Sequence, residues 1–206
     1  MEPIDRRRLL RLGIFLPLAA CSRAVSGEDG PLSPSAGIGG VLAPTPACTD
    51  DDDPTPPQTE GPFFTPASPE RSSLREPGLA GTPLTVSGVV VSTGCEPVAG
   101  VLLNFWQADD AGAYDNEGFR LRGHQFADEG GVWRLETIVP GLYPGRTRHI
   151  HVKVQAPGQQ ILTTQLYFPG EERNEEDGIF DPALLMDLRT GANGDHATFA
   201  FVLELL

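Results

Sequence analysis

The stretch His149-Ile150-His151-Val152-Lys153-Val154-Gln155-Ala156 sets two imidazoles two residues apart in alternating surroundings. In an extended strand His149, His151, Lys153 and Gln155 share one face, and Ile150, Val152, Val154 and Ala156 share the other. The aliphatic face belongs to a core, so the two histidines point together into something else. Neighbours on one strand face are about 6.6 Å apart at the backbone, within reach of a single metal ion. The chain has 3 tyrosines, Tyr114, Tyr143 and Tyr167. Tyr114 lies in the Gly-rich stretch 111–118 and Tyr143 in the Gly/Pro stretch 140–146, six residues before His149. Neither loop offers a ring much to pack on locally. A phenolate is a hard, anionic oxygen ligand, and with an ordinary pKa near 10 it ionises only when a strong Lewis acid holds it. Zinc prefers Cys and carboxylate beside His, whereas two phenolates with two imidazoles suit ferric iron.

The elements that must carry these groups read as β-structure. Strands are predicted at 84–91, 101–108, 133–139, 149–156, 163–168 and 197–205, separated by Gly, Pro and Asn turns. One short helix is predicted at 182–188, with Asp181 as its N-cap and Pro182 at its first position. The fold class is all-β, a sandwich or barrel with long loops and at most short helices. The 24 Gly and 20 Pro disfavour a helical bundle, and a 39% hydrophobic fraction still supplies a core. A net charge of −13 repels polyanions, which argues against nucleic acid as a partner. No run of 18 apolar residues would cross a membrane as a helix.

The N-terminus reads as an address. Residues 1–21 place Arg6, Arg7, Arg8 and Arg11 before a short apolar stretch, with Asp5-Arg6-Arg7-Arg8-Leu9-Leu10 similar to a twin-arginine export signal. Leu18-Ala19-Ala20-Cys21 is similar to a bacterial lipobox, so the expected location is outside the cytoplasm, with membrane contact only through a lipidated Cys21; the alternative is a plain cleaved signal that leaves the protein periplasmic or extracellular. Residues 22–57, rich in Pro, Gly, Ser and Asp, read as a flexible tether, and 58–206 as the folded domain. Asp50 to Asp53 read as a solvated acidic run rather than a metal site. With Cys21 used by the signal, Cys48 and Cys95 form an even pair, expected to be a disulfide in an oxidising compartment.

Taken together these residues resemble the intradiol ring-cleavage dioxygenases, the group of protocatechuate 3,4-dioxygenase and catechol 1,2-dioxygenase. The resemblance runs through Thr59-Glu60-Gly61-Pro62-Phe63-Phe64, Phe105-Trp106-Gln107-Ala108-Asp109, Gly112-Ala113-Tyr114, Phe119-Arg120-Leu121-Arg122-Gly123, the stretch 137–146, His149-Ile150-His151 and 164–168, and so covers about residues 59–170. It implies a β-sandwich and a non-haem Fe(III) site held by Tyr114, Tyr143, His149 and His151. It further implies a catechol-type substrate, O₂ as co-substrate and a muconate-type diacid as product. By the same resemblance Arg146 is the active-site arginine, Gln165 a polar residue near the substrate, Tyr143 the ligand that leaves to accept a proton and Tyr114 the one that stays. The Cys48 and Cys95 positions are similar to those of exported members. Gly145 departs from the pattern, standing where protocatechuate enzymes carry a Trp, and the chain lacks the helical segment by which catechol enzymes dimerise.

Other residues are expected to be structural. Trp106 and Trp133 read as core, His124 and His196 as surface, Glu60 as a support where the domain begins, and Arg148 as an outward-facing residue. Two alternatives to an enzyme of this kind are a non-catalytic β-sandwich binding module and a cupin-like metalloprotein. The first has no reason to combine Tyr143, Arg146 and the His pair; the second calls for a Glu shortly after the pair, and 153–158 has none.

Overall fold

The computed structural model describes residues 53–206. The leader, Cys21, Cys48 and most of the tether lie outside the described residues. Among those described, the strands are β1 Pro83–Ser92, β2 Leu102–Trp106, β3 Arg122–Phe126, β4 Val132–Ile138, β5 His149–Gln155, β6 Leu162–Tyr167, β7 Asp187–Arg189, β8 Asp195–Thr198 and β9 Phe201–Leu203. They form two sheets, one ordered β4-β1-β8-β7 with β9 also on β1, the other ordered β3-β2-β5-β6. The all-β sandwich expected from sequence is the observed fold.

The alternation read in each strand is what builds the layer between the sheets. Val86, Val90, Trp133, Leu135, Ala197 and Phe201 from the first sheet join Leu103, Phe105, Ile150, Val152, Val154 and Leu166 from the second in one buried cluster. Fully burying an aliphatic side chain of this size contributes about 1.5–3 kcal/mol relative to leaving it exposed.

Several local readings shift. The expected strand at 197–205 is two strands, β8 and β9, which keep a single register along β1 (Ser87 with Thr198, Val90 with Phe201) and are interrupted at 199–200. The expected helix at 182–188 is a 3₁₀ turn, Pro182–Leu184, and its C-terminal half runs into β7. The cap is as predicted, with the Asp181 carboxylate accepting from Ala183 N at 2.9 Å. Strands β3 and β7 escape sequence reading because polar and charged residues dominate Arg122–Phe126 and β7 is only three residues long. A second 3₁₀ turn, Glu172–Asn174, lies in the loop after β6.

The stretch before β1 ties down sheet edges. Thr55, counted with the tether by composition, is buried and donates its N–H to Val202 O at 2.9 Å. Gln58 N donates to Thr163 O on β6, Arg71 N to His124 O on β3 and Leu74 N to Glu136 O on β4, each at 2.8 Å. Exposed strand edges invite pairing with other chains, and residues 55–74 occupy three of them. Cys95, in the turn after β1, is disulfide-bonded.

Candidate metal centre

β5 lies between β2 and β6, and the register decides what surrounds its histidines. His151 is opposite Trp106 on β2 and Gln165 on β6, and His149 is opposite Tyr167 on β6. Directly opposed residues share a face, so the side of this sheet opposite Ile150, Val152 and Val154 carries both imidazoles, an indole, an amide and a phenol. The two histidines are 4% and 3% exposed, while Ile150, Val152 and Val154 are fully buried on the core side. Trp133 is in the core as expected. Trp106 is buried too, but on the histidine side: its ring stacks on His151 with centroids 4.8 Å apart and planes within 6°.

The two tyrosines arrive on loops that leave the same end of the sandwich. Gln107, just past β2, accepts from Thr137 Oγ1 at 2.8 Å and donates to Ile138 O at 3.0 Å, so the exits of β2 and β4 are bound together. Asp109 holds the turn that follows by accepting from Ala111 N and Ala113 N, at 3.0 and 2.9 Å. Gly141 N donates back to Asp109 O at 2.6 Å. A β-carbon on Gly112, whose φ is +83°, would lie 2.3 Å from Leu142 O, and one on Gly141 would lie 2.4 Å from Asp110 O. Glycine at both places lets the Tyr114 and Tyr143 loops touch backbone to backbone.

The four groups singled out by sequence are thereby brought together. Tyr114 Oη is 3.2 Å from His149 Nε2, and His149 Nε2 is 3.1 Å from His151 Nε2. The Tyr114 and Tyr143 ring centroids are 5.8 Å apart. Phe63, brought in by the segment before β1, stacks on Tyr114 at 4.4 Å and meets Tyr143 edge-on at 5.2 Å. The missing local support for these tyrosines is thus supplied from far upstream in the chain. Arg122, 1% exposed, ties the arrangement by donating to Asp115 O from Nε at 2.9 Å and Nη2 at 2.7 Å, and to Phe63 O from Nη1 at 2.5 Å.

Electrostatics prepare the nitrogens as donors. His149 Nδ1 donates to Thr147 O at 2.6 Å, which leaves the Nε2 lone pair facing the cluster. Burial pushes the His149 pKa down to about 4, and burial followed by the neighbouring His149 pushes His151 down as well. Both rings are therefore neutral at pH 7, and His151 Nδ1 has no hydrogen-bond partner among the described residues. Burial raises the Tyr114 pKa, with the charges of Arg146 and Arg122 opposing the rise. A site that holds two neutral imidazoles with their Nε2 atoms 3.1 Å apart and disfavours a bare phenolate fits a cation. Metal–nitrogen bonds of about 2.0–2.1 Å put adjacent donors about 3 Å apart. Among the described residues no group of three or more His, Cys, Asp and Glu could hold a metal, so the phenol oxygens are needed to complete one.

Arg146 stands at the edge of this cluster in a defined network. Its Nε donates to Asp177 Oδ2 at 2.8 Å and its Nη2 to Gln165 Oε1 at 2.7 Å and Tyr167 Oη at 3.3 Å. Gln165 is fully buried, accepts also from Tyr167 Oη at 3.0 Å and donates to Thr59 O at 2.9 Å. Its amide faces Arg146 and the backbone rather than open space. A cavity of about 490 Å³ opens beside Tyr114, Asp115, Glu117 and Arg120, and another of about 260 Å³ beside Gly145, Arg146, Arg173 and Asp177. Gly145 has no heavy atom within 4 Å of the place a β-carbon would take.

The remaining expectations divide. His196 is exposed, while His124 is half-buried with its Nδ1 3.3 Å from Ser68 Oγ; neither meets the cluster. Glu60 pairs with Lys153, whose ammonium also lies 4.7 Å over the Phe64 ring. Arg148 is not an outward residue: it pairs with Glu171 at 2.6 Å and donates to Pro140 O, holding the Tyr143 loop against the loop after β6. Sequence reasoning missed Phe63, Arg122, Tyr167 and Asp177 as members of the site. Tyr167 was within reach, since period two places it on the face of Gln165; nothing local marks Asp177.

The buried neutral histidine has a measurable consequence. The folded pKa of His149 lies below its ordinary 6.5, so its contribution to stability is full above pH 6.5 and is lost as pH falls through about 4. Metal-free protein is expected to lose about 3 kcal/mol of unfolding free energy across that window from this group. Urea unfolding at pH 7 and pH 4 measures it, and equal stabilities would contradict a neutral buried imidazole.

Comparison with known proteins agrees with the site. Residues 59–204 match the sequence model of a family described as Dioxygenase. The chain belongs to the intradiol ring-cleavage dioxygenase family. It is 31% identical over 144 residues to hydroxyquinol 1,2-dioxygenase of Nocardioides simplex, a match covering 58% of this chain and 49% of that one. It is 30% identical over 166 residues to 6-chlorohydroxyquinol 1,2-dioxygenase of Cupriavidus pinatubonensis, covering 68% of this chain and 58% of that one. The chain thus spans about half the length of the curated relatives it matches. Among solved structures it is similar to the dioxygenase domain of a dioxygenase–carbohydrate-binding protein fusion from Streptomyces sp. SirexAA-E, with 62% identity, TM-score 0.73, and coverage of 75% of this chain and 100% of that one. It is also similar to 3-chlorocatechol 1,2-dioxygenase of Rhodococcus opacus 1CP, with 28% identity, TM-score 0.69, and coverage of 76% and 75%.

Proposed function

We propose that this chain is a non-haem ferric dioxygenase that uses O₂ to cleave a catechol-type ring between its two hydroxylated carbons, giving a muconate-type dicarboxylic acid. The observation that supports this reading is the cluster in which Tyr114 Oη and His151 Nε2 lie 3.2 and 3.1 Å from His149 Nε2, with the Tyr143 ring 5.8 Å from that of Tyr114. These four residues would hold Fe(III). Bound there, the ion would supply Lewis-acid chemistry toward a catechol and O₂.

The protein's own groups do the rest. A catechol binding through both oxygens gives up two protons. Tyr143, half-buried on a Gly/Pro turn with edge-on ring neighbours, would accept one at Oη, and the other would pass to water. Tyr114, stacked by Phe63, keeps its place. Arg146 stabilises negative charge developing on the ring and oxygens, and Gln165 and Asp177 keep its guanidinium aimed. Phe63 and Phe64, with the backbone of 59–64, keep bulk water from the imidazoles; Gly61 would bring a β-carbon within 3.6 Å of the His151 ring. The open space at Gly145 suits rings with substituents, in keeping with the hydroxylated and chlorinated catechols named for its relatives.

The leader supports a location outside the cytoplasm, tethered through a lipidated Cys21. Iron-loaded protein is expected to be red-brown from tyrosinate-to-iron charge transfer and to consume one O₂ per ring cleaved. An oxygen electrode with catechol, hydroxyquinol, protocatechuate and chlorocatechols tests this, with the product read by its ultraviolet spectrum. Folded, iron-loaded protein that consumes no O₂ with any of them would refute the reading.

A further inference from the structure

We propose that Asp177, in the loop that follows β6, is a positioning residue that holds two working groups of the site with one carboxylate oxygen. The inference rests on the function proposed above, since it concerns the groups that act there. Asp177 Oδ2 accepts from Arg146 Nε at 2.8 Å and from Thr147 N at 2.9 Å. The carbonyl of that same Thr147 accepts from His149 Nδ1 at 2.6 Å. One side chain therefore fixes the guanidinium directly and the imidazole through one residue of backbone.

The carboxylate is itself well held. Its side chain is 3% exposed, and its Oδ1 accepts from Ile179 N at 3.2 Å. Asp177 N donates to Arg173 O at 3.0 Å, and Phe180 N donates to Asp177 O at 3.0 Å. A second latch from the same loop runs beside it: Thr147 Oγ1 donates to Asn174 Oδ1 at 2.6 Å, and Asn174 Nδ2 donates to Phe168 O at 2.9 Å. The loop after β6 touches neither Tyr114 nor His151 through these bonds. Its contacts converge on 146–149, the segment that carries Arg146 and His149. Outer groups that orient a metal ligand commonly change metal affinity 10- to 100-fold when removed.

A double-mutant cycle on the iron-loaded protein tests this, using Asp177→Asn, Arg146→Met and both together. Asp177→Asn is expected to lower kcat about 10- to 100-fold with KM nearly unchanged, and to release iron to a chelator about 10-fold faster. In the Arg146→Met background the same change is expected to cost kcat clearly less than in the parent, because one of the two groups it holds is gone, while the faster iron release through the Thr147–His149 arm persists. Equal losses in the two backgrounds, or wild-type kcat and iron retention in Asp177→Asn, would overturn the assignment. Asp177→Glu, which keeps the charge and displaces it by a methylene, carries the same cycle if the asparagine variant does not fold. Wild-type protein that turned over no catechol would instead refute the proposed function, and iron release from the same variants still reads the positioning of His149.

Discussion

A His149→Ala protein is expected to fold, to purify with little iron, and to be colourless. The geometry makes the loss large. His149 is central to the donor cluster, with its Nε2 3.2 Å from Tyr114 Oη and 3.1 Å from His151 Nε2. Its other nitrogen is committed to Thr147 O, so no second rotamer or tautomer substitutes for it without breaking that bond. Without this ring, Tyr114 remains buried with a raised pKa and loses its nearest partner, so it has less reason to ionise. Turnover of any catechol is expected to fall by about 10³ or more, since an interaction used throughout the chemistry is lost. The fold is expected to persist because Ile150, Val152 and Val154, on the opposite face of β5, carry its core contacts. Metal analysis and a visible spectrum decide the matter, and an iron content equal to that of the parent protein would exclude His149 as a ligand.

Arg146→Met tests the other half of the site, the charge rather than the ion. Methionine keeps much of the apolar stem and removes the guanidinium. The groups it leaves behind stay partly satisfied: Asp177 still accepts from Thr147 N and Ile179 N, and Gln165 Oε1 still accepts from Tyr167 Oη. The expected result is iron-replete, coloured protein whose kcat is about 10²–10³ lower, the usual effect of removing one preorganised donor to developing negative charge. Steady-state oxygen uptake measures it. Unimpaired kcat with a raised KM would show that Arg146 only binds the ring.

The two predictions separate what was legible in the sequence from what was not. The period of two in 149–156 gave the facing of the His pair, because burial of the aliphatic face leaves the other no alternative. The loop tyrosines could be named but not supported, since their packing partner, Phe63, comes from a different part of the chain. Arg148 was misjudged for a related reason. The alternation that governs β5 does not extend into the turn before it, and there the side chain follows Glu171 and the Pro140 carbonyl instead. Asp177 was invisible because a single acid in a Glu-rich stretch carries no periodic signal; only closure of the loop after β6 reveals what it holds. The split of the last strand and the short 3₁₀ turn at Pro182–Leu184 are boundary effects, where a neighbouring strand's register outweighs local preference.

The aromatic roof over the cluster is borrowed from residues 55–74, the same stretch that is stitched to β6, β3 and β4. Anyone shortening the protein for expression, or grafting it onto another module, should place the junction ahead of Thr55. A cut at residue 65 would leave every candidate ligand in the polypeptide yet strip Phe63 from Tyr114 and the Thr59 carbonyl from Gln165, so the truncated product would be a sandwich with an unroofed hearth.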